Sequence, residues 1–192
     1  SVQCHDVEEV DRIYGALKES GKEMMALGEY PWSKRYGWVA DRYGLSWQIN
    51  LPAEQDISQR IVPTLMFTGP QAGKAEEAMG LYTSTFPESS TKFIARYEKG
   101  EHDVEGTVKH AEFKLFGETL IAMDSSYPHG FNFTEAISLV VRCDDQAEID
   151  RYWSALSAVP ESEQCGWLKD KYGVSWQIVP AVLDELMKGD SE

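Results

Sequence analysis

The stretch from Gly37 to Ile49 reads GWVADRYGLSWQI, and the stretch from Gly166 to Ile178 reads GWLKDKYGVSWQI. Nine of these 13 positions are identical. A repeat this close constrains the fold more than any composition value does, because both copies must form one kind of supersecondary unit. The match continues upstream with a different offset, VQCHDVEEVDRIYGAL (2–17) against VRCDDQAEIDRYWSAL (141–156). Val7, Val10, Tyr14 and Leu17 fall at helical spacing in the first copy, and Ile149, Tyr152, Trp153 and Leu156 do so in the second. Asp6 and Asp145 stand where an N-cap belongs, with Glu9 and Glu148 three residues later in the manner of a capping box. Each copy therefore reads as a strand, a helix and further strands ending in Trp-Gln-Ile.

The middle of the chain has the same order of elements. IVPTLMFTG (61–69) reads as a strand, Ala75, Ala78, Met79, Tyr82 and Phe86 form a helical stripe, and TKFIARYEKG (91–100) returns as a strand. GTVKHAEFKLFGETLIAMD (106–124) reads as a hairpin turning at Phe116-Gly117-Glu118. The expected class is α+β, three βαβββ units pairing into a curved half-open barrel with helices outside. The expected divisions are 1–52, an orphan half-module; 53–60, a linker; 61–180, a complete two-unit module with a second linker at 125–136; and 181–192, a C-terminal tail.

Between helix and Gly-Trp the first unit has 19 residues (18–36) and the third only nine (157–165). Ten residues is about one strand and its turn, so the third unit is expected to lack the strand equivalent to KEMMALGEY. A βαβββ sheet also exposes an edge and one face unless another unit covers it. The sequence order leaves 1–52 without such a partner, to be completed by an upstream unit or by another chain in a homodimer.

The net charge of −14 excludes a phosphate-binding surface of clustered Lys and Arg, so no nucleic-acid partner is expected. No apolar run approaches a membrane span, and SVQCHDVEEV has none of the marks of a signal peptide. Three cysteines (Cys4, Cys143, Cys165) with no CxxC suit free thiols in the reducing cytoplasm. There is no GxSxG, HExxH or Gly-rich phosphate loop, and the four histidines show no ligand spacing.

The period of two along a strand assigns faces. Val174, Trp176 and Ile178 share one face of the last strand, and Ser175 and Gln177 the other. Along 110–115, His110, Glu112 and Lys114 face away from Ala111, Phe113 and Leu115. If the two sheets of 61–180 pack concave face to concave face, His110, Glu112, Ser175 and Gln177 meet in one pocket, with Trp167 at its edge.

PTLMFTG…EEAMGLYTSTFP, HAEFKLFGETLIAMD and the closing GW…D.YG.SWQI resemble the PhnB-like branch of the vicinal oxygen chelate superfamily, which includes glyoxalase I, bleomycin-resistance proteins and extradiol dioxygenases. The resemblance implies paired sheets around a small-molecule site, and in many members a divalent metal on His, Gln and Glu side chains from four strands. Carried over position by position, the last-strand ligand falls on Gln177 and, in the first unit, on Gln48. The first-strand ligand falls on or beside Pro63, and the ligand opening the second unit falls near Ala136. His110, Glu112 and Gln177 remain as weak metal candidates, too few for a transition-metal site, so a metal is disfavoured in 61–180 and the cofactor is left open. The expected function is binding of a small organic molecule, in a sequestering or resistance-type role. The alternatives are a metal-dependent lyase, isomerase or dioxygenase-like enzyme and a structural module with a vestigial pocket. PhnB-like chains are often labelled demethylubiquinone methyltransferases, but no Gly-rich strand–turn–helix suited to S-adenosylmethionine is present.

Overall fold

The computed structural model describes residues 1–53 and 57–183. Most of the expected tail, 184–192, and part of the first linker, 54–56, lie outside the described residues. The elements run β1 (Val2–Gln3), α1 (Val7–Lys18), β2 (Lys22–Tyr30), β3 (Ser33–Ala40) and β4 (Ser46–Asn50) in the first unit. The second unit is β5 (Thr64–Phe67), α2 (Ala75–Thr85), β6 (Ser90–Arg96), β7 (Val108–Leu115) and β8 (Glu118–Asp124), and the third is β9 (Ser138–Cys143), α3 (Gln146–Leu156), β10 (Trp167–Lys169) and β11 (Ser175–Pro180). Each unit has its own sheet, in the orders β1-β4-β3-β2, β5-β8-β7-β6 and β10-β11-β9. The third sheet has three strands among the described residues, as the shortened interval at 157–165 predicts.

Local chemistry sets the boundaries. Asp6 Oδ1 accepts from Glu9 N at 2.8 Å, and Asp145 Oδ1 accepts from Glu148 N at 2.8 Å, so both N-caps are made. The return bonds go one residue outside the box, from His5 N to Glu9 and from Asp144 N to Glu148. Phe116 and Gly117 carry positive φ, 50° and 79°, the two-residue turn that matches the twist of a hairpin. The strand expected over 61–69 is shorter, because Pro63 lacks an N–H and Gly69 starts a 3-10 turn over Gly69–Gln71.

The repeated motif works through its aspartate. Asp170 Oδ1 accepts from Tyr172 N (2.9 Å) and Val174 N (3.0 Å), and Oδ2 accepts from Trp176 Nε1 (2.9 Å). Asp41 makes the same three bonds, to Tyr43 N, Leu45 N and Trp47 Nε1. The carboxylate thus closes the turn and fixes the indole two residues into the next strand.

The packing of units departs from the expected order. The helix-side faces of the second and third sheets share one core: Tyr82 and Phe86 of the second unit lie with Tyr152, Leu156 and Trp176 of the third. Tyr82 and Trp176 ring centroids are 5.1 Å apart, and Tyr82 Oη donates to Asp170 Oδ2 at 2.6 Å. Sheets joined through their helix sides turn their other faces apart. The free face of the second sheet instead meets the first unit. Gln48 on β4 reaches Met123 on β8, and Gln59 binds the backbone of Thr119. Residues 60–62 run antiparallel beside β1, with Gln3 N bonded to Arg60 O (2.9 Å) and Val62 N to Ser1 O (2.8 Å). The sheets of 1–52 and 61–124 therefore meet each other, and among the described residues no sheet faces the third. Sequence order hides this because each linker joins neighbours equally well by either face.

Tyr82→Phe removes one of the four partners of a carboxylate that is fully buried. Urea unfolding should show a loss of about 1–3 kcal/mol, whereas the same-sized change at exposed Tyr43 should show almost none.

Candidate functional site

Ala111, Phe113, Leu120 and Ala122 of the second sheet turn to the helix side and are buried in its core. Strand alternation then places His110, Glu112, Ile121 and Met123 on the groove face. The register aligns them in two cross-strand rows. Phe93, Glu112, Ile121 and Thr64 form one row; Met123 and Met66 stand in the next, with Ala95 and His110 beside them. From the first sheet come Met25, Trp38 and Gln48 in one row, and Tyr36, Asn50 and Gln3 in the next.

These rows close on each other at the seam. Gln48 Nε2 points at Met123 Sδ, 3.9 Å away. Trp38 is 8 % exposed; its Nε1 donates to Ser46 Oγ (2.6 Å) and its ring lies 5.7 Å from that of His129 in the 125–136 linker. His129 Nε2 is 2.8 Å from Ser125 Oγ. Asn50 Nδ2 donates to Gln3 Oε1 (3.1 Å), but its Oδ1 is buried with no hydrogen-bond partner. Farther out, the half-exposed ring of Phe93 stacks on His110 at 5.6 Å, and Lys92 holds Glu112 at 2.9 Å. Burial lowers the pKa of His110, opposed in part by the charge of Glu112, and burial lowers that of His129.

The five sequence-derived pocket residues do not line one cavity. His110 and Glu112 sit in the groove between the first and second sheets. Ser175, Gln177 and Trp167 sit on the outer face of the third sheet, where Gln177 Nε2 donates to Ser138 Oγ at 2.7 Å. Ser175 is buried and its hydroxyl has no partner. The groove residues that sequence reasoning did not assign are Trp38, Asn50, Met66, Met123 and His129. Once β4 is known to face β8, the alternation of β4 finds Asn50 and that of β8 finds Met123; His129 belongs to a linker and carries no periodic signal.

The metal implied by the superfamily resemblance does not fit here. The first strands of the facing units bring Gln3, Thr64 and Met66, and the last strands bring Gln48, Asn50, Ile121 and Met123. Of these only the Gln3 and Gln48 amides are of a type the resemblance implies, and with a hydroxyl, thioethers and a hydrocarbon in the other positions they lack the imidazole and carboxylate that hold a divalent transition metal. Among the described residues no three His, Cys, Asp or Glu side chains converge. Cys4 and Cys143 are buried with thiols pushed up to about 11 by burial, which holds them as unreactive thiols at neutral pH. A surface depression of about 500 Å³ lies away from the groove, between the β2–β3 hairpin tip and the start of α1. Its Asp6 is committed to the helix cap, whereas the groove face holds a buried acceptor, Asn50 Oδ1, with no partner.

Repeated βαβββ units with mixed sheets of this strand order define a protein of the PhnB-like branch of the glyoxalase superfamily. A family model described as 3-demethylubiquinone-9 3-methyltransferase matches residues 1–50 and 59–179, and the chain belongs to that family. A solved structure described as a putative 3-demethylubiquinone-9 3-methyltransferase, PhnB protein, from Bacillus cereus is 43% identical with a TM-score of 0.55, covering 63% of this chain and 99% of that one. A protein from Staphylococcus aureus is 31% identical (TM-score 0.28; 61% and 92% covered), and protein PA1353 from Pseudomonas aeruginosa is 21% identical (TM-score 0.49; 64% and 98% covered). No curated protein matches the chain. No helix among the described residues is long and apolar enough to cross a membrane.

The lowered histidines predict a pH dependence. The unfolded chain binds protons at these two sites near the ordinary 6.5, the folded chain only at lower pH. Their contribution is present in full above about 6.5 and is lost as pH falls below it. The urea midpoint should drop between about pH 7.5 and pH 5.5, and His110→Gln with His129→Gln should flatten that drop.

Proposed function

We propose that this chain binds a small, largely apolar organic molecule in the groove between its first and second sheets. The observation that carries the reading is the buried, unpartnered Oδ1 of Asn50 on a groove face that also holds Gln48 and, farther along, His110. Native interiors rarely leave such an acceptor unmet, and a ligand donor is one way to meet it. Met66, Met123 and Phe93 supply adaptable apolar walls, and His110, neutral at physiological pH by burial, offers one donor or acceptor. Trp38 and His129 close the groove at the linker end.

Sequestration of such a molecule, in a resistance-type role, follows from binding without a reactive group. The enzyme alternative is less well supported, because among the described residues no three His, Cys, Asp or Glu side chains converge. The methyl transfer in the family description is not part of the proposal, since the sequence carries no Gly-rich donor loop. The three free thiols support the reducing cytoplasm as the location. A second copy of the chain is a further partner, on a different surface.

The probe is 8-anilinonaphthalene-1-sulfonate, an aromatic body with one N–H donor. Fluorescence titration should show saturable binding of one dye per chain. His110→Ala and Gln48→Ala should each weaken it by about tenfold, about 1.4 kcal/mol, and Trp167→Phe in the third unit should leave it unchanged. Dye binding indifferent to both groove variants overturns the assignment.

A further inference from the structure

The first unit carries an aromatic cluster that its own core does not use. β1 and β4 run parallel and end side by side. Beyond that end the chain parts, one branch passing through His5 and Asp6 into α1 and the other through Leu51 and Pro52. Segments that diverge after parallel strands leave a cleft between them. Here it is the depression of about 500 Å³, whose third wall is the tip of the β2–β3 hairpin. Its volume falls in the range of small-molecule sites. The two residues of the tip are Pro31 and Trp32, and Trp32 is 55 % exposed. An indole at the apex of a turn adds little to a core, yet this one is held in place.

Pro31 fixes φ at the turn, and Tyr30 Oη donates to Ala26 O at 2.8 Å. The Tyr30 ring stacks on the Trp32 indole, with 5.1 Å between centroids and 28° between planes. Tyr36 stands nearly perpendicular to both, 5.5 Å from Tyr30 and 5.7 Å from Trp32. A ring that close to Tyr30 cannot lie across the indole from it, so neither tyrosine covers the far face of Trp32. A rigid, uncovered indole face attracts a flat ring by stacking and a cation through its quadrupole. It is also preorganised, so little ordering cost attends binding.

Charge selects the ligand class. Glu29, in the cleft wall beside Tyr30, makes no hydrogen bond or ion pair among the described residues. Asp6, Glu8 and Glu9 gather at the start of α1 and offset the positive end of that helix. Against them the wall holds one lysine, Lys34, in a chain of net charge −14. Such a rim repels anions and concentrates cations. We propose that this cleft binds an aromatic cation, its ring stacked on the far face of Trp32 and its ammonium group toward Glu29. The site is separate from the groove between the sheets and does not depend on what the groove binds.

The probe is benzyltrimethylammonium, titrated into the full chain by calorimetry and followed in the indole N–H region of the NMR spectrum of the isotope-labelled chain. The indole resonance missing from Trp32→Ala identifies Trp32, and in the parent chain it should shift saturably with a dissociation constant of about 1 mM or tighter. Phenylacetate, a similar ring with the opposite charge, should bind at least about tenfold more weakly. By calorimetry, Trp32→Ala should weaken the cation at least about tenfold, with an unchanged circular dichroism spectrum because the side chain is exposed. Glu29→Gln should weaken it about threefold and remove most of its sensitivity to added salt. Tyr43→Ala, which removes an exposed ring elsewhere on the first unit, should change nothing. The proposal is overturned by a Trp32 resonance that stays still up to about 10 mM probe, by cation binding that Trp32→Ala leaves intact, or by phenylacetate binding as tightly as the cation.

Discussion

A βαβββ unit has two surfaces to bury, the helix side of its sheet and the opposite face, and the middle unit of this chain has both covered. Its α2 packs into the third unit, and its open face meets the first. Tyr82 and Gln48 mark the two contacts: one hydroxyl reaches an aspartate of the third unit, and one amide reaches into the middle unit from the first. The rest of the architecture follows from that placement. The groove forms where the middle sheet faces the first, and among the described residues no other sheet faces the third.

The Asp-x-Tyr-Gly turn shows what the middle unit adds. Asp41 and Asp170 make identical bonds to their turns and indoles, yet Asp170 and Trp176 are buried where Asp41 and Trp47 are part-exposed. The difference is α2. Bonds to Tyr43 N, Leu45 N and Trp47 Nε1 hold the Asp41 carboxyl below its usual range, whereas burial pushes Asp170 up despite four donors. One motif thus supplies a solvent-facing turn in one unit and a desolvated polar centre at a unit–unit interface in another. The second arrangement is tolerated because both oxygens of the Asp170 carboxyl have donors.

Much of this was legible in the sequence. Helical stripes, caps, the Phe116-Gly117 turn and the missing strand of the third unit are local consequences of periodicity, cap chemistry and segment length. Which unit faces which was not legible, because both faces of a βαβββ sheet are apolar enough to be buried and the pattern inside a strand does not name its partner. The site reading inherited that gap. His110 and Glu112 were placed on a groove face by alternation alone, while Ser175, Gln177 and Trp167 were joined to them by an assumed pairing of sheets. Trp38 and Asn50 were readable by alternation as soon as the first unit was recognised as the facing partner.

The repeated Gly-Trp pair carries a consequence for how this gene can vary. Gly37 lies in a continuous strand with ordinary φ, and a side chain there would strike the Tyr14 ring at 2.5 Å. Gly166 sits at φ +85° in a tight turn after Cys165, where a side chain would meet the Ile178 carbonyl at 2.9 Å. Both positions favour glycine, for unrelated reasons: at one a helix crowds a strand, at the other the backbone bends through a positive φ. The same letter at the same place in the repeat therefore answers to contact in one copy and to curvature in the other.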